Sequence, residues 1–417
     1  MQAQKREKII IIGGGFAGIQ LLKHLDQEQF EVLLIDKLNH HQFQPLFYQV
    51  ATSQIEPGSI SFPLRKILQD RENTQIRMAE VTLIDPENHS ILTTIGSFHY
   101  DILILAAGCS TNYFGNEEIK KNTYSLKSTY DAIKIRNNIL QNFEDLLSVK
   151  EEEKEFLQNL VIIGAGPTGV ELAGAFSEIR NNILPKDYPR FNFKDLKIIL
   201  IEGSAHTLNG MSDMAKEASE RYLKGMGVEI LTNVMVKSYD GEVVTLSNGE
   251  SIRSKQVIWT AGVMGNIIKG LDQEVVFRHR YRVDRFSQVK GYPGIYAVGD
   301  VAFMETPKYP NGHPQVANVA INQAKNLSNN LKRQIHNMPL REFEYKDKGT
   351  MATIGKKKAV VDLPYFKFRG FFAWIVWMFL HLMLILSVRN KMVIFINWAW
   401  LFFTRDTSLR LILKEQQ

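Results

Sequence analysis

Cysteine is almost absent from this sequence: Cys109 is the only one in 417 residues. One thiol allows no internal disulfide, no CxxC redox pair and no cysteine-rich metal site, so enzymes that work through a cysteine pair are set aside. Long apolar runs are missing too. The best candidate, 371–386, is interrupted by His381 and falls short of the ~20 residues that a spanning helix needs. The polar start, residues 1–8, leads straight into isoleucines, so no secretory signal is expected. No histidine or carboxylate cluster has metal-ligand spacing, and no metal is expected.

Charge is unevenly placed. Residues 341–417 hold 13 Lys and Arg against 6 Asp and Glu, net +7, while residues 1–340 stand at −1. Four of the five Trp lie in the same tail. A basic, aromatic end on a neutral body points to an anionic membrane surface and away from nucleic acid. A solvated basic face is the alternative.

What is present is one nucleotide-binding plan written twice. Residues 9–18, IIIIGGGFAG, read as a buried parallel strand and a turn with Gly13, Gly15 and Gly18 in GxGxxG spacing. The next helix would aim its N-terminal N–H groups at a pyrophosphate. The following strand ends in Asp36, at the distance from the glycines where a carboxylate accepts from ribose hydroxyls. Residues 160–169, LVIIGAGPTG, repeat the pattern with Gly164, Gly166 and Gly169, then a helix bearing Glu171 and Gly174. Its acid, Glu202, lies well beyond the usual spacing of about 20 residues, and the polar stretch 180–195 with Pro185 and Pro189 reads as an insertion. Each copy continues with short alternating strands and a strand ending in Gly108 or Gly262. GIYAVGD, ending in Gly299 and Asp300, precedes a helical run over about 315–334.

The fold class expected is α/β, with two Rossmann-like dinucleotide-binding domains and a C-terminal amphipathic helical membrane-association region. The boundaries expected are 1–123 and 281–345 for a discontinuous first domain, 124–280 for the domain inserted in it, and 346–417 for the tail. Residues 144–159, dense in Glu and Lys, read as an exposed lead into the insertion. Ending the chain near Gly349 is expected to spare nucleotide binding.

In order, these motifs resemble type II NADH dehydrogenase, the single-subunit, non-pumping NADH:quinone oxidoreductase. The most specific pieces are HHQFQPLFYQVAT (40–52), IEPGSISFPLR (55–65), AAGCSTNYFG (106–115), VIWTAGV (257–263), KGYPGIYAVGD (290–300) and INWAW (396–400). The resemblance implies tightly bound FAD on Gly13, Gly14, Gly15, Phe16, Ala17, Gly18, Asp36, Lys37, Val81, Ala106, Ala107, Gly108, Gly299, Asp300 and Ala317. It implies NADH as substrate on Gly164, Gly166, Pro167, Thr168, Gly169, Glu202, Ala261 and Gly262. Glu171 matches the carboxylate that the family places among nicotinamide, flavin and quinone, and a solvent-facing helix Glu is its alternative. The quinone, ubiquinone or menaquinone, is expected at Glu171, Asn318 and Gln323. Here Asn stands at 318 and 322 where the family has Gln, which keeps the amide and shortens its reach.

The implied protein is peripheral on the cytoplasmic face of the inner (cell) membrane and transfers electrons in a respiratory chain. Its tail would bind a lipid surface, with a core helix pair or a homodimer interface as the alternative. Two other functions stay open: a soluble NADH-dependent flavin reductase with a protein or small-molecule acceptor, and a redox-sensing NADH-binding protein. A sulfide:quinone enzyme fits less well, because that chemistry needs several cysteines.

Overall fold

The structure, a computed structural model, describes residues 6–189, 191–407 and 409–413. Residues 1–5, most of the polar start, and 414–417, the end of the basic tail, lie outside the described residues. The chain forms two compact units. One holds the chain up to His41 with Phe62–Ser110 and Val263–Lys346; the other holds Gln42–Ser61, Thr111–Gly262 and the chain from Asp347.

Each unit is built on a five-stranded parallel sheet. In the first the order is Ile295–Ala297, Ile102–Leu105, Glu7–Ile12, Phe30–Asp36, Thr74–Met78. In the second it is Tyr124–Ser125, Gln256–Trp259, Asn159–Ile163, Lys197–Glu202, Val228–Thr232. The central strands, IIII and LVII, are buried on both faces because helices cover both sides of such a sheet. Each unit adds a three-stranded antiparallel sheet at the matching place, Val81–Asp85, Ser90–Thr93, Gly96–His99 and Val236–Tyr239, Val243–Leu246, Ser251–Arg253. The duplication read from the glycines therefore extends through strand order.

Three expectations change in detail. The stretch 180–195, read as a polar insertion, is helical at its start. The helix Pro167–Glu178 runs on through a π-turn, Ile179–Ile183, into Leu184–Asp187. Buried Arg180 sustains that turn by donating to the carbonyls of Met226 (2.6 Å), Gly227 (3.1 Å) and Leu196 (3.1 Å). The segment 144–159 contains the helix Glu151–Gln158, with three Glu in its first turn favouring the helix dipole.

The tail is not helical throughout. Thr350–Gly355, Lys358–Asp362 and Lys367–Arg369 form an antiparallel sheet before the helices Phe371–Leu384 and Val388–Thr404. It is also built into the second unit. Asn390 donates to the carbonyls of Gly58 (3.1 Å) and Ser59 (2.9 Å), which holds the segment 42–61 in this unit as well. At Gly174 a Cβ would lie 1.8 Å from the Ile354 carbonyl oxygen, so the helix touches the strand backbone only because no side chain is there.

Two outcomes follow from this packing. Gly174→Ala should destabilise the protein by about 1–3 kcal/mol or more, read as a fall in denaturation midpoint. Ending the chain at Gly349 should uncover the flank of Pro167–Glu178 and abolish NADH binding in titration, the reverse of what the tail's composition led one to expect.

Candidate functional site

The two glycine loops are built alike. In the first unit a Cβ at Gly18 would meet the Gly13 carbonyl oxygen at 1.9 Å, and one at Gly13 would meet that of Ala106 at 2.3 Å. In the second, Gly169 faces Gly164 O at 1.9 Å and Gly164 faces Ala261 at 2.8 Å. The middle glycines, Gly15 and Gly166, have open space within 4 Å, as does Gly108. Outer glycines packed and middle glycine open is the cradle a pyrophosphate needs at a helix N-terminus. Phe16 and Ala17 open the helix Phe16–His24, and Pro167 and Thr168 open Pro167–Glu178.

The acids at the strand ends also brace their loops. Asp36 accepts from Gly14 N–H (2.6 Å) and Leu38 N–H (2.7 Å). Glu202 accepts from Ala165 N–H (2.7 Å) and from the N–H and hydroxyl of Ser204 (both 2.8 Å). Each carboxylate keeps acceptor capacity for a ribose hydroxyl. Among the other expected nucleotide residues, Lys37 pairs with Glu80 (2.6 Å) on the surface, while Val81 is buried in the first unit's core. Asp300 receives the Cys109 thiol at 2.9 Å, and its backbone oxygen accepts from Gln315 (2.9 Å). Ala107 O accepts from Asn266 (2.8 Å), Ala261 O accepts from Trp259 (3.1 Å), and Gly262 holds φ +86°.

The expected quinone residues part company. Gln323 Oε1 accepts from Gly299 N–H at 2.8 Å, so that amide serves the acidic turn. Asn318 follows Ala317 in the first turn of Ala317–Ile335, and its side-chain amide has no partner among the described residues. Both belong to the first unit.

Glu171 belongs to the second, and it is buried, not solvent-facing. It lines a cavity of about 310 Å³ with Tyr48, Gln49, Glu178, Thr353, Trp374, Trp377, Trp398 and Phe402, and with Lys356, Lys357 and Arg405. Burial raises its pKa to about 8, and the Thr353 N–H (3.4 Å) and the nearby Trp377 indole N–H offset this only in part. At neutral pH it is therefore mostly a neutral acid. The Trp377 Nε1 is buried without full hydrogen-bond geometry to any described acceptor. Glu178, two helical turns along the same face, is also raised by burial, partly offset by the Lys356 N–H and the nearby Lys358, Lys356 and Arg405. The walls are indole and phenyl: Trp374 stacks on Phe402 (5.6 Å) and Trp377 lies 5.8 Å from Trp398. Lining residues pass from buried Tyr48 and Trp377 to exposed Lys357 and Arg405, so the cavity opens at a basic, aromatic rim.

Residues 7–324 match the pyridine nucleotide-disulphide oxidoreductase family, and residues 348–406 match the NDH2 C-terminal domain. The type II NADH:quinone oxidoreductase Ndh of Mycobacterium tuberculosis is 32% identical, with 100% of this chain and 92% of the relative aligned. This chain belongs to the type II NADH:quinone oxidoreductases. A probable NADH dehydrogenase of Dictyostelium discoideum is 30% identical over 97% of this chain and 91% of its own length. The same fold is found in NDH2 from Plasmodium falciparum, solved in complex with NADH. The TM-score is 0.90 and the identity 23%, over 98% of this chain and 100% of that one.

Sequence reasoning missed Tyr48, Gln49, Thr353 and Glu178. The signal for the first two was a polar pair in a short segment, FYQVA, whose residues are all buried. Glu178 repeats Glu171 at i+7, a spacing that shares a helical face. For this type II chain, Glu202 implies that kcat/KM for NADH exceeds that for NADPH by about tenfold or more, since a carboxylate repels a 2′-phosphate. His206, the one basic residue of 203–210, lies at 3.1 Å from Glu220. Steady-state kinetics with both nucleotides checks this, and Glu202→Gln should narrow the ratio.

Proposed function

We propose that this protein oxidises NADH through FAD and reduces a membrane quinone in the cavity beside Glu171. The observation that carries it is a neutral, buried carboxyl group in an indole-walled cavity of a chain with two dinucleotide cradles. FAD fits the first unit, where the open space over Gly15 and Gly108 and the acids Asp36 and Asp300 offer a phosphate cradle and hydroxyl acceptors. NADH fits the second, on Gly166 and Glu202. When bound, the flavin ring supplies a two-electron relay between hydride donor and quinone.

The chain's own work is placement and protons. The loops and acids hold the nucleotides, and the aromatic walls exclude water and flank a planar ring. Glu171 holds a proton at a carboxyl oxygen near neutral pH and supplies one of the two protons that quinone takes up as it becomes quinol. Lys356, Lys357 and Arg405 set a positive rim. Asn318 keeps its expected part in the quinone half-reaction, supported by its unengaged amide; Gln323 would act through the acidic turn.

The lipid contact rests on the two tail helices. Ala373, Trp377, Ile394 and Trp398 face inward, while Phe372 and Phe403 are 75% and 81% exposed, with Phe379, Phe395 and Trp400 also outward. No helix among the described residues is long and apolar enough to cross a membrane. An apolar patch of this extent, flanked by Lys367, Arg369, Arg389 and Lys391, suits a half-immersed helix pair on anionic lipid. We place it on the cytoplasmic face, where NADH is available. A homodimer through this surface is the competing reading.

Steady-state NADH oxidation with a soluble quinone tests the activity. No turnover, with NADH binding intact, would favour the redox-sensing protein; turnover with protein or dye acceptors only would favour the flavin reductase. For Glu171, flavin reoxidation by quinone should fall as pH rises through about 8, and Glu171→Gln should be slower and lose that dependence. Because the folded carboxyl holds its proton more tightly than the unfolded one, the contribution of Glu171 to stability is fully present below the ordinary carboxylate range and is lost as pH rises through about 8. Glu171→Gln should remove this decline in thermal melts. Phe372→Glu with Phe403→Glu should abolish flotation with anionic liposomes at high salt and keep turnover with ferricyanide. Retained flotation with conversion of a dimer to monomers would make the surface a subunit interface.

A further inference from the structure

The same cavity contains an oriented hydroxyl group that neither the motifs nor the family match assigns. Tyr48, Gln49 and Trp398 all line it, and each is less than a tenth exposed. Trp398 Nε1 donates to Gln49 Oε1 at 2.8 Å. An indole N–H can only donate, so this bond decides which end of the Gln49 amide is oxygen. The other end, Nε2, then donates to the Tyr48 hydroxyl oxygen at 2.9 Å. An amide NH₂ cannot accept in return, so the hydrogen of the Tyr48 hydroxyl must point elsewhere. No described residue accepts a hydrogen bond from it. Burying a donor without a partner costs about 1–3 kcal/mol, so such a group signals a missing acceptor.

A second observation points the same way. The Trp377 Nε1–H is likewise buried, near Glu171 but without full hydrogen-bond geometry to any described acceptor, and the Trp377 ring lies 6.4 Å from that of Tyr48. A hydroxyl donor without an acceptor, beside an indole N–H that faces Glu171 without full hydrogen-bond geometry, fits a ligand whose polar atoms are acceptors only. A quinone is such a ligand, and a quinol is not.

We infer that Tyr48 donates a hydrogen bond to a carbonyl oxygen of the bound quinone, and that Gln49 and Trp398 are positioning residues that hold its hydroxyl in that direction. The inference rests on placing the quinone in this cavity. Tyr48 keeps its proton throughout: burial and the charges of Glu171 and Glu178 push its phenol well above the ordinary range, with Gln49 opposing. The bond polarises the carbonyl and strengthens as negative charge develops on the oxygen during reduction.

Stopped-flow absorbance with full-length holoenzyme tests it. In Tyr48→Phe, flavin bleaching by NADH should proceed normally, while reoxidation by a soluble quinone slows roughly 2- to 13-fold, the worth of one neutral hydrogen bond. Reoxidation by ferricyanide, which has no carbonyl, should not change. Gln49→Leu should slow quinone reoxidation less, and adding it to Tyr48→Phe should slow it no further, because it acts through the missing hydroxyl. Equal slowing with quinone and ferricyanide, no slowing with either, or additive effects in the double variant would overturn the inference. Leu401→Trp, which narrows the cavity, separates this from the underlying site assignment. If wild type reacts with quinone and Leu401→Trp does not impair it, the quinone is elsewhere and the inference falls with the site. If Leu401→Trp blocks quinone and Tyr48→Phe does not slow it, the site stands and Tyr48 is excluded.

Discussion

The helix Pro167–Glu178 approaches the strand Thr350–Gly355 to the distance of backbone on backbone, and the second unit depends on that approach. Any side chain at Gly174 would overlap the Ile354 carbonyl oxygen. With the two backbones in register, Glu171 comes within reach of the Thr353 N–H and Glu178 within reach of the Lys356 N–H. The N-terminus of that helix is also the floor of the second glycine loop. One element thus carries a nucleotide cradle at its end and an acid-lined cavity along its flank.

The chemistry of the cavity follows from what surrounds those carboxyl groups. A carboxylate beside a lysine in water would be ionised at neutral pH. Here indole rings and the tail sheet keep water away from Glu171, and burial outweighs the two N–H groups that face it. A buried acid that stays neutral costs far less than a buried charge, and it holds a transferable proton. Glu178 lies closer to the cations of the rim, so the two acids of one helix differ in electrostatic surroundings.

The tail's pair of helices presents two apolar faces. Trp377 and Trp398 face inward and help wall the cavity, and Trp398 also fixes the amide of Gln49. Phe372, Trp400 and Phe403 face out. A helix apolar on both sides is ordinarily a buried one; each of these has one apolar face packed on the protein and another turned outward. The three short strands ahead of them have no counterpart in a free amphipathic anchor, and they are what seats the helices on the nucleotide unit.

The duplicated nucleotide plan was legible in the sequence because it is local. Glycines at fixed spacing, an isoleucine-rich strand before them and an acid ending the next strand are all satisfied within one strand–turn–helix–strand unit, and the structure reproduces each in both copies. The lone Cys109 excluded dithiol chemistry without any coordinates. What the sequence could not determine was anything resting on contacts between distant segments. Gly174 could be seen as a glycine in a helix, but not that the distant strand Thr350–Gly355 needed its missing side chain. Tyr48 and Gln49 could be read as part of a motif, but the direction of the hydroxyl depends on the indole N–H of Trp398. Glu171 could be matched to a family carboxylate, but its neutrality comes from burial by a tail that composition alone presented as a detachable anchor. Local spacing determined that this protein is built to hold two dinucleotides; long-range packing decided the burial of Glu171 and the direction of the Tyr48 hydroxyl, since burial and hydrogen-bond direction exist only once the distant segments meet.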